Sequence, residues 1–328
     1  MYLCDDLLKY LFTYIDLRTL YKVVRRVNKQ WFRVNDNAMI WQSVTLKGME
    51  DEANSFLFTF RKKIKYLHVQ GMTWSRQNTI ILQEMPSLLA LDLSCVFSMS
   101  MIDDRFCSII SSLKIRSLLL PKNNISDHGF SCLSSMRLQK LEMRMNTFIT
   151  EAFLVFTLHE HFKDLRELTF NNVAAVRRES LLAIAEKKMR TVHLSFCRFV
   201  DDDAIRAFSC VKNCNLQSCM FFGLAISVKT MEFLFTNCPN INTFALHFQN
   251  HMSIASVQWE NFPNINTLIF VCCDELQNLD FVEKSNIKNL FLCRTNLSME
   301  TGEQYRKMYR TLRDRQCHIK YIRDDSLN

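Results

Sequence analysis

The chain has 328 residues and a formal net charge of +8, with 48% hydrophobic and 23% charged residues. That is the balance of a globular chain long enough for about two domains, and it excludes a disordered or collagen-like polypeptide. Five glycines and four prolines fall far below the ~12% ordinary for the pair, and no GxG occurs, so no dinucleotide fingerprint or phosphate-cradling glycine loop is encoded.

In chain order, residues 1–46 read as three helices: CDDLLKYLFTYI, RTLYKVVRRVNKQWFRVN and NAMIWQSV. Leu7, Leu8, Leu11, Phe12 and Ile15 recur at helical spacing in the first. Leu20, Val23, Val24, Val27 and Trp31 do so in the second. Asp5 and Asp6 suit the positive end of the first helix. With Lys9 they interrupt the apolar core that a secretory leader needs. No stretch reaches the ~18 apolar residues of a membrane span. These features predict an intracellular chain, cytoplasmic or nuclear. Thirteen cysteines without a CxxC pair are then expected to be reduced and mostly packed as small hydrophobes.

Within this segment, Leu3-Cys4-Asp5-Asp6-Leu7-Leu8 leads to Tyr14-Ile15-Asp16-Leu17, then to Val27 and Trp31, and finally to Ile40-Trp41. The pattern resembles an F-box: a Leu-Pro pair, an acidic residue, a leucine-rich helix and late tryptophans. The likeness spans residues 3–46. It departs at Cys4, where the family has proline, and that removes some preorganisation from the loop. The resemblance implies a Skp-type adaptor docking on Leu3, Leu7, Leu8, Leu11, Ile15, Leu20, Val24, Val27, Trp31 and Trp41, with part of that set packed inside the helices. The plainer reading of the segment is an amphipathic helical cap. Such a cap needs apolar residues, but not two tryptophans at these spacings.

Residues 47–62 read as a linker or N-terminal cap, and 63–323 as repeats. The template is an apolar residue, another three later and a third five later, often with Asn or Cys eight later. It matches at Ile64-Leu67-Val69, Leu88-Leu91-Leu93, Ile115-Leu118-Leu120 with Asn123, and Leu138-Leu141-Met143 with Asn146. It matches again at Leu165-Leu168-Phe170, Met189-Val192-Leu194 with Cys197, and Val211-Cys214-Leu216 with Cys219. Ile241-Phe244-Leu246, Ile265-Leu268-Phe270 with Cys273, and Ile287-Leu290-Leu292 complete the series. Successive starts lie 22 to 30 residues apart, the leucine-rich-repeat period. Each unit predicts a short strand, an Asn or Cys turn that bends the chain without glycine, and a returning helix. Pro86, Pro239 and Pro263 each stand two residues before a strand's first apolar position and end the helix before it. The Ser, Thr and Asp residues of ISDHGF at 125–130, FITEAF at 148–153 and FVDDDAI at 199–205 are suited to cap such helices. A helix over SMETGEQYRKMYRTLRDRQ and a strand over CHIKYI close the series, and 324–328 form a tail. The predicted fold is α/β: a three-helix F-box followed by a leucine-rich-repeat α/β solenoid of about ten repeats.

The phase also assigns the open face of the strands. Arg116, Lys140, Arg144, Arg166, Arg190 and Lys212 make its middle basic, while Ala245, Ile269, Val271 and Phe291 make its end apolar. This predicts a substrate held by an apolar anchor, with the basic zone favouring an acidic or phosphorylated segment. The plainer reading is solvated arginines and an apolar zone covered by the chain's own end.

As a whole the sequence resembles the F-box/leucine-rich-repeat family. The resemblance implies a non-catalytic substrate receptor of a Skp–cullin–F-box ubiquitin ligase, reaching a cullin and a RING subunit through the adaptor. The other reading kept open is a repeat scaffold or inhibitor whose helical cap binds no adaptor. No cofactor is expected. Cys210, Cys214 and Cys219, with His193 or His251, lack zinc-ligand spacing and read as packing. Basic residues are dispersed rather than striped, which argues against nucleic acid.

Overall fold

The computed structural model describes residues 3–37, 39–97, 101–211, 215–224, 226–247, 256–271, 280–283, 285–293 and 318–322. Helix α1 (Asp5–Phe12) buries Leu8 and Phe12, one turn apart. Asp16 accepts the Thr19 amide at 2.9 Å and starts α2 (Leu17–Thr19). The helix runs on through π-helical Leu20–Val24 into α3 (Arg25–Val27). The apolar pattern predicts one unbroken helix from Arg18 to Asn35. Instead the chain breaks at Asn28, whose backbone is extended (φ −163°) and whose side chain accepts the Trp31 amide at 2.9 Å. That bond starts α4 (Lys29–Asn37). Asparagine offers the backbone this local alternative to continuing a helix. The predicted third helix is a single 3₁₀ turn, Met39–Gln42.

Two compact units divide the chain, Met1–Phe148 and Ile149–Asn328. In the first, β1 (Ser43–Lys47), β2 (Tyr66–Gln70), β3 (Ala90–Cys95), β4 (Ser117–Lys122) and β5 (Lys140–Arg144) pair in sequence order, all parallel. Parallel neighbours need a crossover, and α5 (Ala53–Phe60), α6 (Arg76–Leu82), α7 (Asp104–Ile110) and α8 (Asp127–Ser134) supply it. The second unit starts with α9 (Glu151–Glu160) and β6 (Glu167–Asn171). It continues as β7 (Thr191–Ser195), β8 (Ser218–Phe222), β9 (Thr243–His247), β10 (Thr267–Val271), β11 (Asn289–Cys293) and β12 (His318–Ile322), again parallel and in order. Between these strands lie α10 (Arg178–Ala185), α11 (Asp202–Cys210), α12 (Val228–Asn237) and α13 (Asp280–Glu283). Strand β12 is the predicted closing strand. The helix expected before it and the tail at 324–328 lie outside the described residues.

Buried residues follow the template row by row. Leu91, Leu118 and Leu141 share one register row of the first unit, and Val192, Cys219, Phe244, Leu268 and Leu290 one row of the second. All eight are buried. The same register corrects one repeat. The apolar set of β8 is Leu216, Cys219 and Phe221, not Val211, Cys214 and Leu216. Intervals of 22 and 30 residues become 27 and 25. Cys219 therefore sits in a strand rather than at a turn, and Val211 closes α11. Cys214 and Lys212 lie outside the described residues. A second correction concerns residues 47–62, which are no linker: they hold the end of β1 and all of α5. Trp41, Val44 and Leu46, all buried, repeat the template 23 residues before Ile64.

The turns also depart from expectation. Gly48, Gly71 and Gly223 directly follow their strands with φ of 62°, 61° and 61°. Met145, Asn172 and Phe196 occupy the same position at 47°, 52° and 53°. A left-handed residue thus turns the chain after six strands, and glycine, which takes that conformation without a steric penalty, fills three. Gly223 is constrained further, because a Cβ there would lie 2.5 Å from Cδ1 of Phe196. The Asn and Cys positions act just beyond. Asn123 Nδ2 donates to the Pro121 carbonyl at 2.9 Å, and Asn146 Nδ2 to Asn123 Oδ1 at 2.7 Å. Cys197 Sγ donates to the Phe170 carbonyl at 3.6 Å. Ser126, Thr150 and Asp201 each accept an amide of the helix they precede, as the spacing predicts.

Candidate protein-docking surfaces

The N-terminal helices are fixed to the first unit along one side. Trp41 stacks on Phe60 of α5 with centroids 3.9 Å apart and planes 15° from parallel. Its indole N–H donates to the Asn35 carbonyl, and Asn35 Nδ2 donates to the Leu20 carbonyl at 3.0 Å. Tyr21 meets Phe56 edge-on at 5.4 Å, and its hydroxyl lies 2.8 Å from Ser55 Oγ. Around this apolar seam, Glu52 takes hydrogen bonds from Lys22 and from Arg18, the latter at 2.8 Å.

Those bonds, from Lys22 first and then Arg18, hold the Glu52 carboxyl at about 2, below its ordinary 4.5. A depressed carboxylate stabilises the folded state above the unfolded value and loses that contribution as it protonates. Acidification from pH 4.5 to about 2 should therefore weaken the attachment of the helices to α5. The expected result is a fall of thermal midpoint over that window that is smaller in Glu52→Gln. An equal fall in both proteins would remove Glu52 from the account.

The residues assigned to an adaptor divide into two groups. Leu8, Leu20, Val24 and Trp41 are buried in the chain's own core, which withdraws them as contacts. Leu3, Ile15 and Trp31 are half-buried, Trp31 edge-on to Phe12 at 5.6 Å. Leu7, Leu11 and Val27 are exposed at 42%, 41% and 50%. The structure adds Tyr10, Tyr14 and Val23, exposed on the same helical segments. Leu7 with Leu11 and Val23 with Val27 are each four apart on helical backbone, so each pair shares a helix face, while Tyr14 lies in the turn after α1 with its hydroxyl 2.6 Å from that of Tyr10. That spacing is visible in the sequence, but the apolar arc of α1 opposite Asp5, Asp6 and Lys9 is wide, and the pattern alone does not say which part of it is inward. Cys4 precedes α1 in extended backbone (φ −67°, ψ 151°), within the range proline takes, and offers no side-chain cap.

On the open rows of the second unit, Met220, Ala245, Ile269 and Phe291 are register neighbours across β8, β9, β10 and β11. Ile269, Val271 and Phe291 are half-buried, as is Met220, which the misplaced repeat had hidden. Ala245 is fully buried, against expectation, because its small side chain lies between larger neighbours of that row. One row over, Phe222 and His247 are register partners, and Phe196 meets His247 edge-on at 6.0 Å.

Arg116, Lys140 and Arg144 belong to the first unit, Arg166 and Arg190 to the second. Arg144 is paired with Glu142 at 2.7 Å. Arg166 Nη1 donates to the carbonyls of Leu165 at 2.7 Å and Lys163 at 3.1 Å. Arg116 and Arg190 are exposed, Lys140 half-buried. In the first unit His68 Nδ1 lies 2.6 Å from Asp92 Oδ2 on the corresponding row. Burial pushes the thiols of Cys107, Cys197 and Cys219 up, the direction of packed rather than reactive cysteine.

Strands, helices and turns together define a parallel β/α repeat protein with a helical N-terminal segment. Scans against known protein families and searches of curated proteins found no match. Among solved structures, the fold is similar to a chain in the crystal structure of the Rad7 and Elc1 complex in yeast. The TM-score is 0.54 at 14% identity, over 89% of this chain and 89% of that one.

Proposed function

We propose that this chain is a non-catalytic substrate receptor of a ubiquitin ligase, its N-terminal helices docking a Skp-type adaptor and its repeats holding the substrate. The observation that carries the reading is the exposure of Leu7 and Leu11 on α1, whose other side packs on α4 through Phe12 and Trp31, and of Val23 and Val27 on the segment that Tyr21 fixes to α5. Apolar residues paired on helix faces fit a helical partner better than solvent. The similar yeast fold was crystallised in a complex, with Elc1, which supports assembly with a second protein. The row Met220, Ile269 and Phe291 is the preferred substrate anchor. In this reading the chain positions a substrate lysine for a ubiquitin-conjugating enzyme brought by a cullin and a RING subunit. Cytoplasm and nucleus are the compartments it implies.

A second reading, a repeat scaffold whose helices are only a cap, is favoured by the burial of Leu8, Leu20, Val24 and Trp41. Affinity purification from cells with cullin activity blocked separates the two. A receptor recovers a Skp-type adaptor, a cullin and accumulated substrates, and Leu7→Asp/Leu11→Asp loses adaptor and cullin together. Recovery of neither from the intact chain leaves the scaffold reading.

A further inference from the structure

We propose that a cavity of about 620 Å³ on the N-terminal helices binds a phosphate group. Tyr21, Lys22, Arg25, Arg26 and Phe32 line it, three cations and no carboxylate. Arg25 is held in place by two rings: its guanidinium carbon lies 5.1 Å from the Phe32 centroid and 5.3 Å from that of Phe60. Its Nε is buried and has no hydrogen-bond partner.

The nearby carboxylates do not neutralise the lining. Asp36, 3.6 Å from Arg25, is shared with Lys63 at 2.8 Å. Glu52 is divided between Lys22 and Arg18. Arg26 is exposed and makes no ion pair among the described residues. Each lining cation thus has part of a counter-charge or none.

A planar guanidinium set against two rings is suited to an oxyanion through its outer N–H groups and loses little freedom on binding one. Further cations beside it favour a phosphate, with its near-double charge and three acceptor oxygens, over a single carboxylate. Tyr21 and Lys22 stand in the π-helical turn Leu20–Val24, and such turns recur at functional sites. The group arrives either as free phosphate or on a phosphorylated polypeptide, and the recognition chemistry is shared.

The test is calorimetric titration of the full chain at constant ionic strength. The probes are inorganic phosphate, a phosphoserine peptide and the same peptide unphosphorylated. One-to-one saturable binding of a phosphate probe is expected, weakened tenfold or more in Arg26→Gln at an unchanged thermal midpoint. Phosphopeptide binding at least tenfold tighter than inorganic phosphate identifies a phosphorylated protein as the source; the converse identifies the free anion. No saturable binding overturns the proposal. So does binding unchanged in Arg26→Gln, or equal affinity for the two peptides without binding of inorganic phosphate. None of these readouts depends on adaptor binding.

Discussion

Replacing Trp41 with alanine is expected to cost about 3–5 kcal/mol of folding stability, the range for deleting a fully buried large aromatic. Three losses coincide. The indole is fully buried, stacks on Phe60 at 3.9 Å and contacts Phe56 at 5.7 Å. Its N–H satisfies the Asn35 carbonyl, which would be left without that donor. It is also the first apolar residue of the repeat containing β1, so the same ring closes the N-terminal helices onto the strands. Urea denaturation measures the change. Met39→Ala, at a side chain 76% exposed two residues away, should stay within about 0.5 kcal/mol of the parent. A Trp41→Ala protein as stable as Met39→Ala would remove the indole from its structural role.

Asn146→Ala is the second large effect, about 2–4 kcal/mol, and its origin is polar. Asn146 is fully buried. Its Nδ2 donates to Asn123 Oδ1 at 2.7 Å and to the Ile125 carbonyl at 2.8 Å, and its Oδ1 accepts the Phe148 amide at 3.1 Å. Alanine leaves the Ile125 carbonyl without that donor, Asn123 Oδ1 with only the Ile125 amide at 3.4 Å, and the Phe148 amide to solvent, at about 1–3 kcal/mol for each buried group that stays unsatisfied. The spread is narrower than their sum because the loop relaxes toward solvent. Asn146→Asp keeps the acceptor for Phe148 but sets a buried carboxylate against two acceptor oxygens, so at neutral pH its denaturant midpoint should fall at or below that of alanine. Equal midpoints for all three proteins would contradict the turn's polar account.

Much of this fold is written in the spacing of its apolar residues. Leu88-Leu91-Leu93 and Ile241-Phe244-Leu246 are legible because a strand burying one side must alternate, and a repeat must alternate in the same phase. Where the pattern failed, a second apolar set competed. Val211 closes α11 and sits near enough to Cys214 and Leu216 to imitate a strand start, whereas register places the strand at Cys219. Trp41 failed differently, since one residue serves both as the last tryptophan of the helical segment and as the first core position of β1. The glycine shortage misled as well. Left-handed φ is a backbone property that Gly48, Gly71 and Gly223 advertise and Asn172 also favours, while Met145 and Phe196 adopt it without a sequence signal.

The docking surfaces were less legible. Helix α1 spreads Leu7, Leu8, Tyr10, Leu11 and Phe12 over one wide arc opposite Asp5, Asp6 and Lys9, so only packing reveals that Leu8 and Phe12 turn inward while Leu7 and Leu11 stay outside. The cavity at Arg25 is invisible in the sequence for a similar reason. Its rings come from α4 and α5, and its counter-charges Asp36 and Glu52 from outside the segment that carries the cations.

The proposed function rests on the exposed side of the N-terminal helices docking an adaptor. The direct measurement is titration of a purified Skp-type adaptor into the full chain and into Leu7→Asp/Leu11→Asp. Saturable binding by the parent, weakened about a hundredfold or more in the variant at an unchanged thermal midpoint, is the predicted result. An adaptor that fails to bind the parent, or that binds parent and variant alike, would contradict it.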